Sequence, residues 1–233
     1  MTSLSGKARV AGLLYIAASA VGIVRLLYIP KMLIVHGNAA ATAGNIAARE
    51  SLFRMGMVSE MAAGVIWMFV PLALYRLLKD VDQPVAVLMV ILGSLMQMPL
   101  FFVNTLNDAA ALSLIRGGDF LTAFDKPQRD ALAMLFLNLH HHVNLANAIF
   151  WGLWLIPFGL LVYRSRFLPR IFGIWLIAGC FGWLAFSITG LLFPGHEEKA
   201  FSLVQPLTLG ELVTMFWLLI MGAKEKHRVS RFE

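Results

Sequence analysis

Of the chain's 233 residues, 59% are hydrophobic and only 14% charged, with a mean hydropathy of +0.76. A soluble domain is about half apolar and about a quarter charged, and a chain of this size leaves roughly 30% of its unfolded surface exposed after folding. The composition therefore excludes a soluble enzyme, a nucleic-acid binder and a disordered regulator, and it predicts a protein of the lipid bilayer.

Six stretches reach the roughly 20 apolar residues that cross a hydrocarbon core about 30 Å thick. The first covers residues 10–29 and is closed by Pro30-Lys31. Met1–Arg9 also reads as a signal-peptide n-region with a small-residue cleavage site at Ala18-Ser19-Ala20, but the apolar run continues past it to Ile29, which favours a retained span. After it, Asn38 precedes Ala39-Ala40-Ala41, so the segment to Glu50 reads as a short surface helix capped by that Asn. The second span covers 52–75 and ends at Arg76; the third covers 85–106. A mixed-charge loop comes next, punctuated by Arg116-Gly117-Gly118-Asp119 and Asp125-Lys126-Pro127. The fourth span is a long pattern over 131–163, the fifth covers 171–193 and the last 206–221. Lipid offers no water to unpaired backbone groups, so these spans must be helices. The fold expected is all-α, a polytopic membrane bundle of about six helices in a single domain, 1–233.

Orientation is set by the placement of Lys and Arg in the short loops. With the N-terminus cytoplasmic, the inner side holds Lys7, Arg9, Arg76, Lys79, Arg164, Arg166, Arg170, Lys224, Lys226, Arg228 and Arg231, eleven of the 19 basic residues. Nearly all of the net charge of +6 then lies on one face. Both termini inside the cytoplasmic membrane is the expected topology. The basic charge is a topology signal and calls for no nucleic-acid partner. The single cysteine, Cys180, lies mid-span and excludes internal disulfides and Cys-rich metal sites.

Ionisable groups within the bilayer are costly and normally face the bundle interior. Arg25, Glu60 and Glu211 are the candidates for true burial, at similar depth toward the outer side. Gly93, Gln97, Asn104 and Asp108 recur at helical spacing on one face of the third span. Asn104, Asn107 and Asp108 also read as the polar rim where that helix ends. Gly56, Glu60 and Gly64 form a small-residue stripe around a carboxylate, and Thr208, Glu211 and Thr214 repeat the arrangement. Near the outer end of the fourth span stand Asn138, His140, His141, His142, Asn144 and Asn147. Successive helical residues are about 100° apart, so three adjacent histidines cannot share one target. His141 and His142 fall with Asn138, whereas His140 falls with Asn144 and Asn147.

These positions predict an outward-facing polar vestibule whose ligand-binding candidates are Arg25, Glu60, Gln97, Asn104, Asp108, His141, His142 and Glu211. Arg25 paired with Glu60 or with Glu211 suits an anionic or zwitterionic headgroup; a structural ion pair is the plainer alternative, and an unpaired Glu60 or Glu211 would also suit proton relay. Glu60, His141, His142 and Glu211 are weak metal candidates, with Asp108 as a further carboxylate, because no H-E-x-x-H spacing supports them. No cofactor is predicted. The function expected is binding or passage of a small polar or amphiphilic molecule, a lipid-derived one included. The alternatives are a membrane enzyme acting on lipid headgroups and a non-catalytic accessory subunit. A faint repeat, Arg9-x-x-Gly12-x-x-x-Ile16-Ala17 against Arg170-x-x-Gly173-x-x-x-Ile177-Ala178, fits a parallel pair of hairpins or chance.

Three segments carry a family resemblance: Ala8 to Tyr15, Ala47 to Arg54, and Tyr163 to Arg170 together with Gly173 and Gly179, with Ser165-x-Phe167-Leu168-Pro169 the most specific part. Through most of its length the chain resembles an uncharacterised family of prokaryotic multi-pass membrane proteins, domain of unknown function 4386. The resemblance implies a helical protein of the bacterial cytoplasmic membrane and carries over no activity, ligand or catalytic residue. The histidine run has no place in the family pattern.

Overall fold

The structure, a computed structural model, describes residues 3–223. Lys224, Lys226, Arg228 and Arg231, which enter the topology expectation, lie outside the described residues. Six helices are long and apolar enough to cross a membrane: α1 (Leu4–Leu33), α3 (Glu50–Leu78), α4 (Gln83–Arg116), α5 (Lys126–Ser165), α6 (Arg170–Leu192) and α7 (Glu197–Ile220). Between α1 and α3 lies the short helix α2 (Ala39–Ala48), whose N-terminus is capped as expected by Asn38, Oδ1 accepting from the Ala41 N–H at 2.9 Å. No strand occurs among the described residues. The protein is thus an all-α, multi-pass membrane protein.

The helices overrun several of the predicted ends, and the prolines show why. Pro30 does not stop α1; it comes just after a π-helical turn, Val24–Tyr28, and the helix continues to Leu33. In α4 a π turn at Ile91–Leu95 and a bend at Met96-Gln97 precede Pro99, and in α5 a break at Trp154 precedes Pro157. A proline lacks the N–H that a regular ladder needs, and at these three positions it follows a ladder already interrupted, whereas Pro71 lies inside the regular helix of α3. Pro206 lies inside α7, which starts at Glu197. α4 runs on to Arg116, so Asn104, Asn107 and Asp108 are not a helix end.

The chain divides into two compact units. Unit 1 comprises the described residues of Met1–Ile16, Trp67–Leu95 and Ala148–Glu233. Its core holds Leu74, Met89, Trp154, Phe158, Leu161 and Leu176, with an aromatic ladder from Tyr15 to Trp67 (5.5 Å), Trp154 (5.6 Å) and Phe158. Here α5 and α6 meet backbone to backbone: a Cβ on Gly159 would stand 2.7 Å from the Gly173 carbonyl oxygen, and one on Gly173 2.6 Å from that of Gly159. Small residues permit this approach, which supplies packing where lipid gives no hydrophobic drive between helices.

Unit 2 comprises Ala17–Ile66 and Met96–Asn147. Ile29, Leu33, Ile46, Phe53, Leu112 and Leu137 form its apolar core. Large side chains such as Leu26, Leu27, Met55 and Leu106 remain exposed, as suits surfaces that meet acyl chains.

Candidate functional site

Unit 2 buries a set of polar side chains drawn from α1, α3, α4 and α5. Arg25 leaves α1 from its π-helical turn, and such single-turn irregularities often mark sites. Its stem passes Gly56 of α3, where a Cβ would stand 3.3 Å from Arg25 Cδ, and its guanidinium lies over the Phe53 ring at 5.9 Å. Arg25 Nε donates to Asp108 Oδ2 and Nη2 to Oδ1, both at 2.6 Å, and the pair is almost wholly buried. This fork-to-fork contact matches two planar groups, the strongest ion-pair geometry available to a protein.

His140 of α5 completes the clamp. Its Nδ1 stands 3.1 Å from both Arg25 Nη2 and Asp108 Oδ1, and its Nε2 lies 3.7 Å from Glu60 Oε1. Asn104, one turn before Asp108 on α4, gives its Nδ2 hydrogens to Glu60 Oε1 at 3.1 Å and Asn144 Oδ1 at 2.8 Å. His140, Asn144 and Asn147 share one face of α5 at helical spacing. Among the described residues, two buried oxygens of this cluster find no donor, Glu60 Oε2 and Asn104 Oδ1, as does a third in the same unit, Asn147 Oδ1, about two turns along α5 from His140. All three are acceptors, and a buried acceptor without a donor is rare enough to need an explanation.

The structure thus brings together Arg25, Glu60, Asn104 and Asp108 of the predicted set. Arg25 pairs with Asp108, not with Glu60 or Glu211, because α4 continues beyond Asn104 and presents Asp108 one turn later. Gln97 is buried in the same unit, at the turn before Met98. Gly93 parts from the predicted stripe: it belongs to unit 1, where its carbonyl accepts from the Trp67 indole N–H at 2.8 Å. The π turn between them breaks the arithmetic of a regular helix.

His141 and His142 do not face the cluster. Both are exposed, and His142 Nδ1 contacts the Asn138 carbonyl oxygen of its own helix at 2.7 Å. The inward position belongs to His140, a residue absent from the predicted site although its spacing with Asn144 and Asn147 is a signal that could have found it. Glu211 is buried in unit 1 beside Tyr15 and Trp183 and makes none of the Arg25 contacts.

Glu60, Asp108 and His140 hold carboxylate and imidazole atoms within 4.8 Å of one another, the one such triple among the described residues. Both Asp108 oxygens are engaged by Arg25, however, and a guanidinium abuts His140 Nδ1. A divalent ion needs three or four convergent donors, so it would first have to displace a bidentate arginine.

No curated protein matches the chain, and no solved structure does. One family model, described as a domain of unknown function (DUF4386), matches residues 10–222. By that match, which spans nearly all of the six membrane helices, the chain belongs to the DUF4386 family of uncharacterised proteins.

Proposed function

We propose that the protein binds or passes a small polar or amphiphilic molecule at the polar cluster of unit 2. The observation that carries this reading is the set of unpartnered acceptors, Glu60 Oε2, Asn104 Oδ1 and Asn147 Oδ1. Acceptors of this kind call for an occupant with hydrogen-bond donors. Hydroxyl and ammonium groups fit; an anionic headgroup does not, since Arg25 already spends its fork on Asp108. A lipid-derived amine or polyol falls within this class. The loop charges support a cytoplasmic-membrane protein with both termini inside, which puts these residues toward the outer leaflet.

The enzyme reading has weaker support, because the carboxylate and histidine groups that would act on a headgroup are tied to Arg25 and to one another. The accessory-subunit reading accounts for the Arg25–Asp108 clamp but leaves the three bare oxygens without a purpose.

Thermal unfolding of the protein in lipid nanodiscs, run against a panel of amphiphilic amines, polyols and anions, tests the proposal. A ligand that binds only the folded state raises the midpoint. Donor-bearing compounds should raise it for the wild type and not for Asn104→Leu, while anions should not. No response to any donor-bearing compound contradicts the reading.

A further inference from the structure

We propose that Glu60 and Asn104 form a proton-binding pair, the proton sitting on Glu60 Oε2 and bonding to Asn104 Oδ1. The inference rests on the same oxygens as the proposed ligand site and adds what fills them when no ligand does.

The Asn104 amide nitrogen donates to Glu60 Oε1 and to Asn144 Oδ1, so its oxygen can only accept. Glu60 Oε1 receives the amide hydrogen, and Oε2 receives nothing. Two groups already joined by one N–H···O bond therefore each carry one bare acceptor. A single hydrogen on Oε2 answers both: the acid O–H donates to the amide oxygen while the amide N–H donates to the acid carbonyl. That is the cyclic pairing of a carboxylic acid with a carboxamide. Glu60 is 7% exposed and Asn104 2%, so bulk solvent does not freely solvate the pair.

Charge points the same way. The charged and titratable groups facing Glu60 are Arg25 from α1, Asp108 from α4 and His140 from α5. Arg25 and Asp108 cancel each other. Glu60 has no Lys or Arg of its own among these groups, and an uncompensated carboxylate is costly within the bilayer. A cationic or donor-bearing ligand at the same oxygens would displace the proton, so occupancy and proton release are coupled.

Infrared difference spectroscopy of the full chain in nanodiscs at neutral pH reads the carbonyl stretch of a protonated carboxyl directly. The expected result is such a band in Glu211→Gln, which removes the other buried carboxyl, lost when Glu60→Gln is added to that variant and displaced when Asn104→Leu, which removes the amide partner, is added instead. Glu60→Gln should fold, because its amide reproduces the donor and the acceptor of the protonated acid. A Glu211→Gln spectrum without the band, or a band unchanged when either Glu60→Gln or Asn104→Leu is added, overturns the proposal. The two readings separate cleanly. A Glu60 band with no donor-bearing compound shifting the unfolding midpoint supports the proton pair and defeats the ligand site. Compounds that bind a protein lacking the band do the reverse.

Discussion

The two units differ in how their side chains join helices. In unit 1 several indole and hydroxyl groups close on backbone carbonyls, Trp67 on Gly93, Ser165 on Val162, Trp175 on Pro206 and Thr214 on Gly210, while the buried Glu211 stands beside Tyr15 and Trp183. In unit 2 a buried set of side chains from four helices closes on itself, Arg25 with Asp108 and His140, Asn104 with Glu60 and Asn144. Any helix supplies a carbonyl, so the first kind of contact is undemanding and fixes little. The second kind requires side chains from separate helices to meet at one register, and it is lost when any one of them is shortened. Unit 1 is held by packing, by an aromatic ladder and glycine crossings. Unit 2 is held by a polar network whose members depend on each other.

The largest effect should come from breaking that dependence on one side only. Arg25→Leu leaves Asp108 charged and unpaired, and Asp108→Leu leaves Arg25 so; each should cost about 3–5 kcal/mol of unfolding free energy. Chemical unfolding in mixed micelles measures it. A buried pair replaced whole by apolar residues often costs little, so the double variant should recover much of the loss.

The comparison is sharpened next in unit 1, where shape replaces charge. Gly173→Ala drives a methyl group against the Gly159 carbonyl and the Tyr163 backbone and should destabilise by about 1–3 kcal/mol, with no dependence on pH. The same assay checks it.

How much of this is legible in the sequence depends on the kind of information asked for. Span number and helical character are dictated by apolar length, because lipid permits no other local structure. Depth is legible too: Arg25, Glu60, Asn104 and Asp108 stand out as polar residues at matching levels. Direction is not. A π turn inserts an extra residue into a helical turn, so Val24–Tyr28 in α1 and Ile91–Leu95 in α4 each rotate the remainder of their helix away from the face that regular spacing assigns. Hence depth groups Arg25 with Glu60 and Glu211 without saying which acid its side chain faces, and regular spacing groups Gly93 with residues of the other unit. The histidine run poses a different difficulty. Three adjacent residues sweep most of a helix circumference, and only the Asn144 and Asn147 spacing singles out His140.

A smaller effect distinguishes those histidines. His140→Ala should destabilise by about 1–3 kcal/mol, since it strips a partner from buried charged groups, whereas His141→Ala and His142→Ala, at exposed positions, should stay within about 0.5 kcal/mol. Paired unfolding curves settle the order, and equal losses would mean that the inward residue has been misassigned.

The most direct measurement of the central claim, that Arg25 belongs to Asp108 within unit 2, is a pair of double-mutant cycles on unfolding free energy. The expected result is a coupling of at least about 2 kcal/mol between Arg25 and Asp108, and near zero between Arg25 and Glu211. Additive losses at Arg25 and Asp108, or strong coupling of Arg25 to Glu211, would contradict it.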